Sequence, residues 1–467
     1  MADLCPFPSQ EFGYAVAGFG PAGCGFLVHA IKANAVERLV DDGLIIIDRA
    51  TIPGAGKVGR YQLTGNSLSR AFLDCIDDPD IAWLFDDLNA THPSIRQLRE
   101  LEFEAPPLDI VGDFLEAIAK RTMDHLIDEY GVPFLLETDI DRIERGDGGS
   151  YTLHLGHRRT DHDFTISASR VVCTLGGRQA KKIVNKTEIA PGITLGNATR
   201  QLFVSDDFLM MDDEAIRAAM PMSENSSADI VVVGGSHSAI STIDRLSQAL
   251  APAGLKRLTM LHGPPLRLYY ASPEEAHQDN YPFLDPEDIC PMSGRVNRFG
   301  GLRYRSLDVA KSILKTGRMP EHDVEINWLP LKTANPKTIS RTLNQAPAVI
   351  ACMGYQANLP PIVNSKNIDI PLCNWPRGVE VDENGQVMTV FQGPMEGMFV
   401  IGIGSTLLRR SDAIGGEPSF RGSADGVWLY HNHGGGVILN ALKDHQPNQE
   451  KQRPEINRVP SDVQVYK

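Results

Sequence analysis

The chain has 467 residues, too many for one ordinary core at about 100–200 residues per domain, so two or three domains are expected. Hydrophobic residues make up 42% and charged residues 22%. That is a globular balance, which excludes a disordered, collagenous or membrane-embedded chain. Lys plus Arg total 45 against 59 Asp plus Glu, and the net charge of −14 opposes binding to nucleic acid or anionic lipid.

In chain order, residues 1–13 lack the basic and apolar regions of a signal peptide. Residues 14–17 read as a short strand, followed at once by a glycine turn. A helical pattern follows, with Phe26, Leu27, Ala30 and Ile31 on one face. Residues 44–47, Leu-Ile-Ile-Ile, suit a buried parallel strand and complete a βαβ unit. Residues 53–69 are rich in glycine and polar side chains and read as a long functional loop. A helix is predicted over 108–130, with Val111, Phe114, Leu115 and Ile118 as its apolar stripe. Residues 137–170 alternate and suggest an antiparallel meander, and 170–174 read as a further buried strand.

A second βαβ unit opens at Asp229, about 216 residues after the first. Its strand is 230–233 and its turn is Gly234-Gly235. Its helix carries Ile240, Ile243, Leu246 and Leu250, and its returning strand is 258–261. Residues 263–305 show no periodicity. Residues 348–352 and 398–403 are two more buried-strand signals, and a helix spans about 424–443. A polar tail from about Asp444 is expected to be mobile. No apolar run of about 20 residues would cross a membrane. The seven cysteines are scattered, with no C-x-x-C and no zinc spacing, which suits reduced thiols in a cytoplasmic protein.

The first turn, Gly18-Phe19-Gly20-Pro21-Ala22-Gly23, is a full G-x-G-x-x-G set between a strand and a helix. Gly18 makes the tight turn, Gly20 admits a pyrophosphate, and Gly23 lets helix and strand pack closely. The helix start offers N–H groups and partial positive charge to phosphates. Asp48, at the end of the next strand, suits the hydroxyls of an adenosine ribose. The second turn, Gly234-Gly235-Ser236-His237-Ser238-Ala239, keeps the first glycine but has Ser236 and Ala239 at the other two positions. It reads as a degenerate nucleotide site, or as an α/β lobe that has lost its ligand. The matching strand end, Leu261-His262-Gly263, has no carboxylate, while Arg257 and Arg267 lie near it. This favours NADPH, with Arg267 on the 2′-phosphate, over NADH; both arginines read equally well as solvated surface residues.

Together these features resemble the two-dinucleotide-binding-domain flavoproteins, over about residues 14–443. The resemblance implies an α/β fold in which an FAD-binding Rossmann-like domain, 1–200 and 341–467, carries an inserted NAD(P)H-binding Rossmann-like domain, 225–340. It implies FAD on Gly18, Phe19, Gly20, Pro21, Ala22, Gly23 and Asp48, and NAD(P)H on Gly234, Ser236, His237 and Ala239. The segment 399–405 looks like the last FAD motif, with Gly402 and Gly404 along the flavin. Disulfide reductases of the family need a paired-cysteine motif that is missing here, and Ile403 stands where the reductase branch has Asp. Residues 346–355, APAVIACMGY, are similar to the D-x-x-x-x-A-T-G-Y segment of the N-hydroxylating amine monooxygenases, with Pro347 at the Asp position and Met353 at the Thr position.

The activity so implied is an FAD-dependent, NAD(P)H-driven monooxygenase acting on a small molecule with O2 through a C4a-(hydro)peroxyflavin. Two other readings stay open: a dehydrogenase or reductase passing electrons to an acceptor, and a nucleotide-binding protein without turnover. Neither nucleic acid nor membrane is an expected partner, and self-association is left open. Lys57, in the loop after Asp48, is a candidate to balance the phosphates or the flavin, or else a surface lysine. His237 either lines the nicotinamide pocket or faces solvent at a helix start. His431 and His433, beside three glycines, read as a helix end rather than a metal site. No side chain is assigned a catalytic role, because the flavin itself carries the chemistry.

Overall fold

In the computed structural model, residues 11–160, 162–198, 201–221, 229–375, 378–408, 412–444 and 465–466 are described. Cys5, the start of the chain and the tail over 445–464 lie outside them. Glu11–Ala17 pairs in parallel with Leu44–Ile47, Ala17 standing opposite Ile47. His162–Cys173 flanks it on the other side, Gly393–Val400 lies beyond that, and Phe134–Leu135 closes the opposite flank. This gives a parallel layer in the spatial order 134–135, 44–47, 11–17, 162–173, 393–400. Ile45, Ile46 and Ile47 are buried because both faces of the layer are covered.

His162–Cys173 is one strand where two were predicted. Its first half closes an antiparallel meander with Thr138–Arg145 and Tyr151–His157, and its second half joins the parallel layer. The alternation ends near Ala168 because one face of the strand is partly exposed before that point and both are buried at Val171–Cys173. The predicted helix over 108–130 forms as Leu108–Tyr130 and ends at Gly131 in the left-handed conformation (φ +66°).

A second, all-parallel sheet runs in the order 202–204, 349–351, 230–233, 257–262, 325–330. Two of its strands lie outside the 225–340 span expected for the inserted domain. Leu202–Val204 is too short to show a pattern, and Val349–Ala351 inserts between it and Ile230–Val233. A short apolar run shows that a strand is buried, not which sheet buries it.

The predicted last helix is interrupted. Val427–Leu429 leads into a π-helical turn, Tyr430–Gly434, and then into Gly435–Asp444. Glycine lets this segment lie against the first helix: a Cβ on Gly435 would stand 2.9 Å from His29 Cβ and 3.2 Å from Phe26 Cα. The His431 carbonyl oxygen lies 2.6 Å from His29 Nδ1. Burial pushes the His431 imidazole down to about 4, so it is neutral. No helix among the described residues is long and apolar enough to cross a membrane.

Candidate active site

The two parallel layers carry their glycine turns in equivalent places. In the first, Gly18 N–H donates to Ile47 O (2.7 Å) and Thr174 N–H to Ala17 O (2.8 Å). Gly18 has φ +101°, and Thr174 Oγ1 fastens the turn through the carbonyl oxygens of Ala17 and Gly18. The helix Pro21–Lys32 starts without a side-chain cap, so its first N–H groups are available. A Cβ on Gly20 would meet nothing within 4 Å, whereas one on Gly23 would run into the Gly18 carbonyl oxygen. The second glycine thus leaves room for a ligand, and the third is fixed by packing.

Asp48 accepts from Phe19 N–H (2.5 Å) and Ala50 N–H (2.7 Å). Burial raises its carboxyl above the usual range, opposed by these two bonds. Phe19 is fully buried and stacks edge-on against Phe134 at 5.2 Å, which holds the turn rigid. Pro21 is the first helical residue, and Ala22 lies against Gly402, where a Cβ would stand 3.2 Å from Ala22 Cβ. Gly402 (φ +111°) and Gly404 (φ +93°) therefore pass beside the first turn. A Cβ on Gly404 would collide with the backbone of Ala357. Room at Gly20, bare N–H groups and a carboxylate at the next strand end are what an adenine dinucleotide requires.

In the second layer, Gly234 N–H donates to Leu261 O (2.9 Å) and Cys352 N–H to Val233 O (2.7 Å). Gly234 has φ +144°, and a Cβ there would fall 2.5 Å from Cys352 O. Ser236 is exposed at the cap of the helix His237–Leu250 and makes no capping bond, while Ala239 is fully buried. His237 Nε2 accepts from Arg303 N–H (3.2 Å), so its proton sits on Nδ1. Burial, then the charge of Arg303, brings its imidazole down to about 4.

Arg257 and Arg267 are both engaged elsewhere. Arg257 stands at the far end of its strand from the turn and pairs with Asp229 at 2.9 Å. The Arg267 guanidinium donates to Asn297 Oδ1, Ser419 Oγ and Asp288 Oδ1 (3.1 Å) and lies 3.6 Å from fully buried Glu417. Two carboxylates neutralise it, which leaves the 2′-phosphate reading without this donor.

A cavity of about 550 Å³ lies where the two halves meet. Tyr61, Gln62 and Leu63 line it from the loop after Leu44–Ile47, and His237, Ser241 and Asp244 from the second helix. Tyr355 lines it too, and a Cβ on Gly177 would stand 3.0 Å from Tyr355 Cβ and 2.6 Å from Ile403 Cγ2. Gly177 thus separates Tyr355, at the cavity, from Ile403, which stands between Gly402 and Gly404.

No family model matches the chain. It is 30% identical over 440 residues to the CMP-5′-(3-aminopropyl)phosphonate hydroxylase of Streptomyces rubellomurinus, spanning 92% of this chain and 97% of that protein. The chain belongs to the flavin-dependent monooxygenase family of this hydroxylase. Among solved structures, the FAD-bound cadaverine monooxygenase of the desferrioxamine pathway of Erwinia amylovora matches with a TM-score of 0.57 at 12% identity, over 97% of this chain and 99% of that one. The ornithine N-hydroxylase of Kutzneria sp. 744, a structure with reduced FAD, NADP+ and L-ornithine, matches with a TM-score of 0.53 at 12% identity, over 93% and 99%. These likenesses show the fold. The protein is an FAD-dependent, NAD(P)H-driven monooxygenase that uses O2 on a small molecule.

In this monooxygenase Asp48 is bonded to the first turn, Gly402 packs against its Ala22, and the second turn reaches the cavity through His237 and Ser238. Lys57 is paired with Asp206, a residue the sequence did not single out. Asp206 is 3% exposed and follows the three-residue strand Leu202–Val204. Tyr61 Oη donates to its Oδ1 (2.5 Å), and Tyr355 Oη to the same atom (3.2 Å). Gln179 Oε1 accepts from its N–H (2.9 Å). Nothing in the spacing of these residues links them, since they lie up to 298 positions apart. The signals were Lys57, singled out in the loop after Asp48, and Tyr355, inside the segment similar to A-T-G-Y.

Proposed function

We propose that the first turn with Asp48, Gly402 and Gly404 holds FAD, that the Gly234–Ala239 turn holds NADPH, and that the cavity between them takes a primary amine for N-hydroxylation. FAD held there would supply the redox chemistry that links NADPH and O2 to the substrate. The chain's own work is to orient both partners, exclude water and manage protons. The absence of a carboxylate at His262 supports NADPH over NADH, without help from Arg267. The observation that carries the reading is the 550 Å³ cavity, lined by the loop that follows Asp48, by the helix of the second turn and by Tyr355.

The relative's name adds the substrate class: an aminoalkyl chain whose other end bears an anionic, nucleotide-linked group. Exposed Asp109 in the lining suits the ammonium end of such a molecule, while Arg245 and Arg305 of the same wall are paired with Asp213 and with Asp244 and Glu321. The test supplies FAD-loaded enzyme with NADPH, labelled O2 and a series of amines, namely CMP-5′-(3-aminopropyl)phosphonate, 3-aminopropylphosphonate, ornithine and cadaverine. One labelled oxygen on nitrogen in the first compound is expected. Fast anaerobic turnover with a quinone or dye, and no label in any amine, would sink the reading.

A further inference from the structure

An amine reaches its enzyme at neutral pH as an ammonium ion, which has no lone pair to receive oxygen. Something must take its proton once the site has closed against water. Resting on the N-hydroxylation reading above, we propose that Asp206, reached through the hydroxyls of Tyr61 and Tyr355, is the proton acceptor that converts the bound ammonium to the free amine.

The geometry is that of a relay. Asp206 does not line the cavity, but both tyrosines do, and both place their hydroxyls on Asp206 Oδ1. The two phenol oxygens are 3.4 Å apart, so they meet at one point beside Asp206. The other carboxylate oxygen is held by Lys57 Nζ, so both oxygens of this buried carboxylate have partners. Gln179 pins the backbone of Asp206 and, through Nε2, the carbonyl of Gly354 beside Tyr355 (3.0 Å). The four side chains come from three separate stretches of chain, which converge where the two sheets meet.

The groups facing Asp206 are Lys57, Tyr61 and Tyr355, with the buried thiol of Cys352 behind Tyr355. Burial raises both phenols and the Cys352 thiol, so none of them ionises near neutral pH. The tyrosines can pass a proton but not keep one. In the step, an ammonium N–H bond breaks and its proton joins Tyr61 Oη, while the Tyr61 proton moves to Asp206 Oδ1. The amine gains its lone pair, Asp206 becomes a carboxylic acid, Tyr61 is unchanged, and no electrons are transferred. The alternative carboxylates of the cavity fit the role less well. Arg305 occupies both oxygens of Asp244, at 2.9 and 2.7 Å, with no hydroxyl between them and the cavity, and Asp109 is exposed to water.

The test uses the FAD-loaded enzyme with NADPH, O2 and CMP-5′-(3-aminopropyl)phosphonate, and measures hydroxylamine formation from pH 6 to 10. Asp206→Asn is expected to lose about a hundredfold in kcat at pH 7. The deficit should shrink as pH approaches the amine's own pKa and solvent supplies the free base. An analogue fluorinated beside the amine carbon, and so less basic, should be hydroxylated by the variant at pH 7 with much of the deficit removed. The Tyr61→Phe/Tyr355→Phe double variant keeps the Asp206–Lys57 pair and should show the same alkaline recovery, and Asp206→Glu should restore most of the rate. A loss uniform across pH and equal for both amines would mean a structural role and overturn the proposal, as would an unchanged profile in Asp206→Asn or the double variant. Wild-type enzyme that makes no hydroxylamine at all would overturn the N-hydroxylation reading beneath it.

Discussion

The two glycine turns occupy the same position in two layers whose four inner strands follow one order, yet they are built to different tolerances. In the first, the helix sits so close that Gly23 has no room for a methyl group, and Thr174 ties the turn down by two bonds. In the second, the equivalent Ala239 is fully buried without strain, and the fastening residue is Cys352, whose Sγ lies 3.4 Å from Thr242 Oγ1 and 3.6 Å from Ser238 O. The first strand end carries Asp48, bonded to the turn itself, whereas the second carries His262, whose ring nitrogen meets Pro264 O of its own loop. The first turn is rigid and acidic, suited to a cofactor that stays bound. The second is looser and lacks the acid, suited to a coenzyme that comes and goes. A departure from the glycine pattern therefore reports how close the helix stands, not whether a nucleotide binds.

The largest way to break this comparison is to exchange the third residues. Gly23→Ala forces a methyl into the Gly18 carbonyl and is expected to leave the purified protein colourless and destabilised by about 1–3 kcal/mol, seen in flavin absorbance and thermal unfolding. Ala239→Gly should keep coenzyme binding and cost only about 1 kcal/mol of helix stability. Equal flavin content in Gly23→Ala and wild type would show that the close approach is not required.

Next comes Arg267, the residue that sequence alone would assign to the 2′-phosphate. Its removal strands Asp288 and buried Glu417, so Arg267→Ala should unfold at a clearly lower temperature, by up to about 3–5 kcal/mol of stability. It should shift the NADPH and NADH concentration requirements together. A selective loss of NADPH affinity with unchanged melting would restore the phosphate role.

The smallest effect concerns pH. His237 has its imidazole lowered to about 4, below the free value of 6.5, so the unfolded chain binds the extra proton between those values. Its contribution to stability is complete above pH 6.5 and is lost as pH falls toward 4. Asp48 acts in the opposite sense, because its raised carboxyl favours the folded state at low pH and loses that contribution as pH rises through its titration. In chemical denaturation from pH 7 to 4, His237→Gln should therefore flatten part of the acid loss. A variant whose stability falls with pH as steeply as wild type would show that His237 is not the titrating group.

Much of the architecture was present in local pattern. Both βαβ units, the helix Leu108–Tyr130, the antiparallel meander and the Gly18–Gly23 turn with Asp48 depend on neighbours within about 30 residues. Periodicity and glycine spacing record such short-range demands directly. What the tertiary structure alone decided is long-range. It sent Val349–Ala351 into the second sheet, joined two predicted strands into His162–Cys173, and turned Arg267 onto Asp288 and Glu417. It also brought Lys57, Tyr61, Asp206 and Tyr355 to one carboxylate. A lone tyrosine or aspartate has no period and no spacing to betray it, and its partner is chosen by how two sheets pack against each other. A one-dimensional pattern specifies which face of an element is buried; it does not specify what lies on the other side.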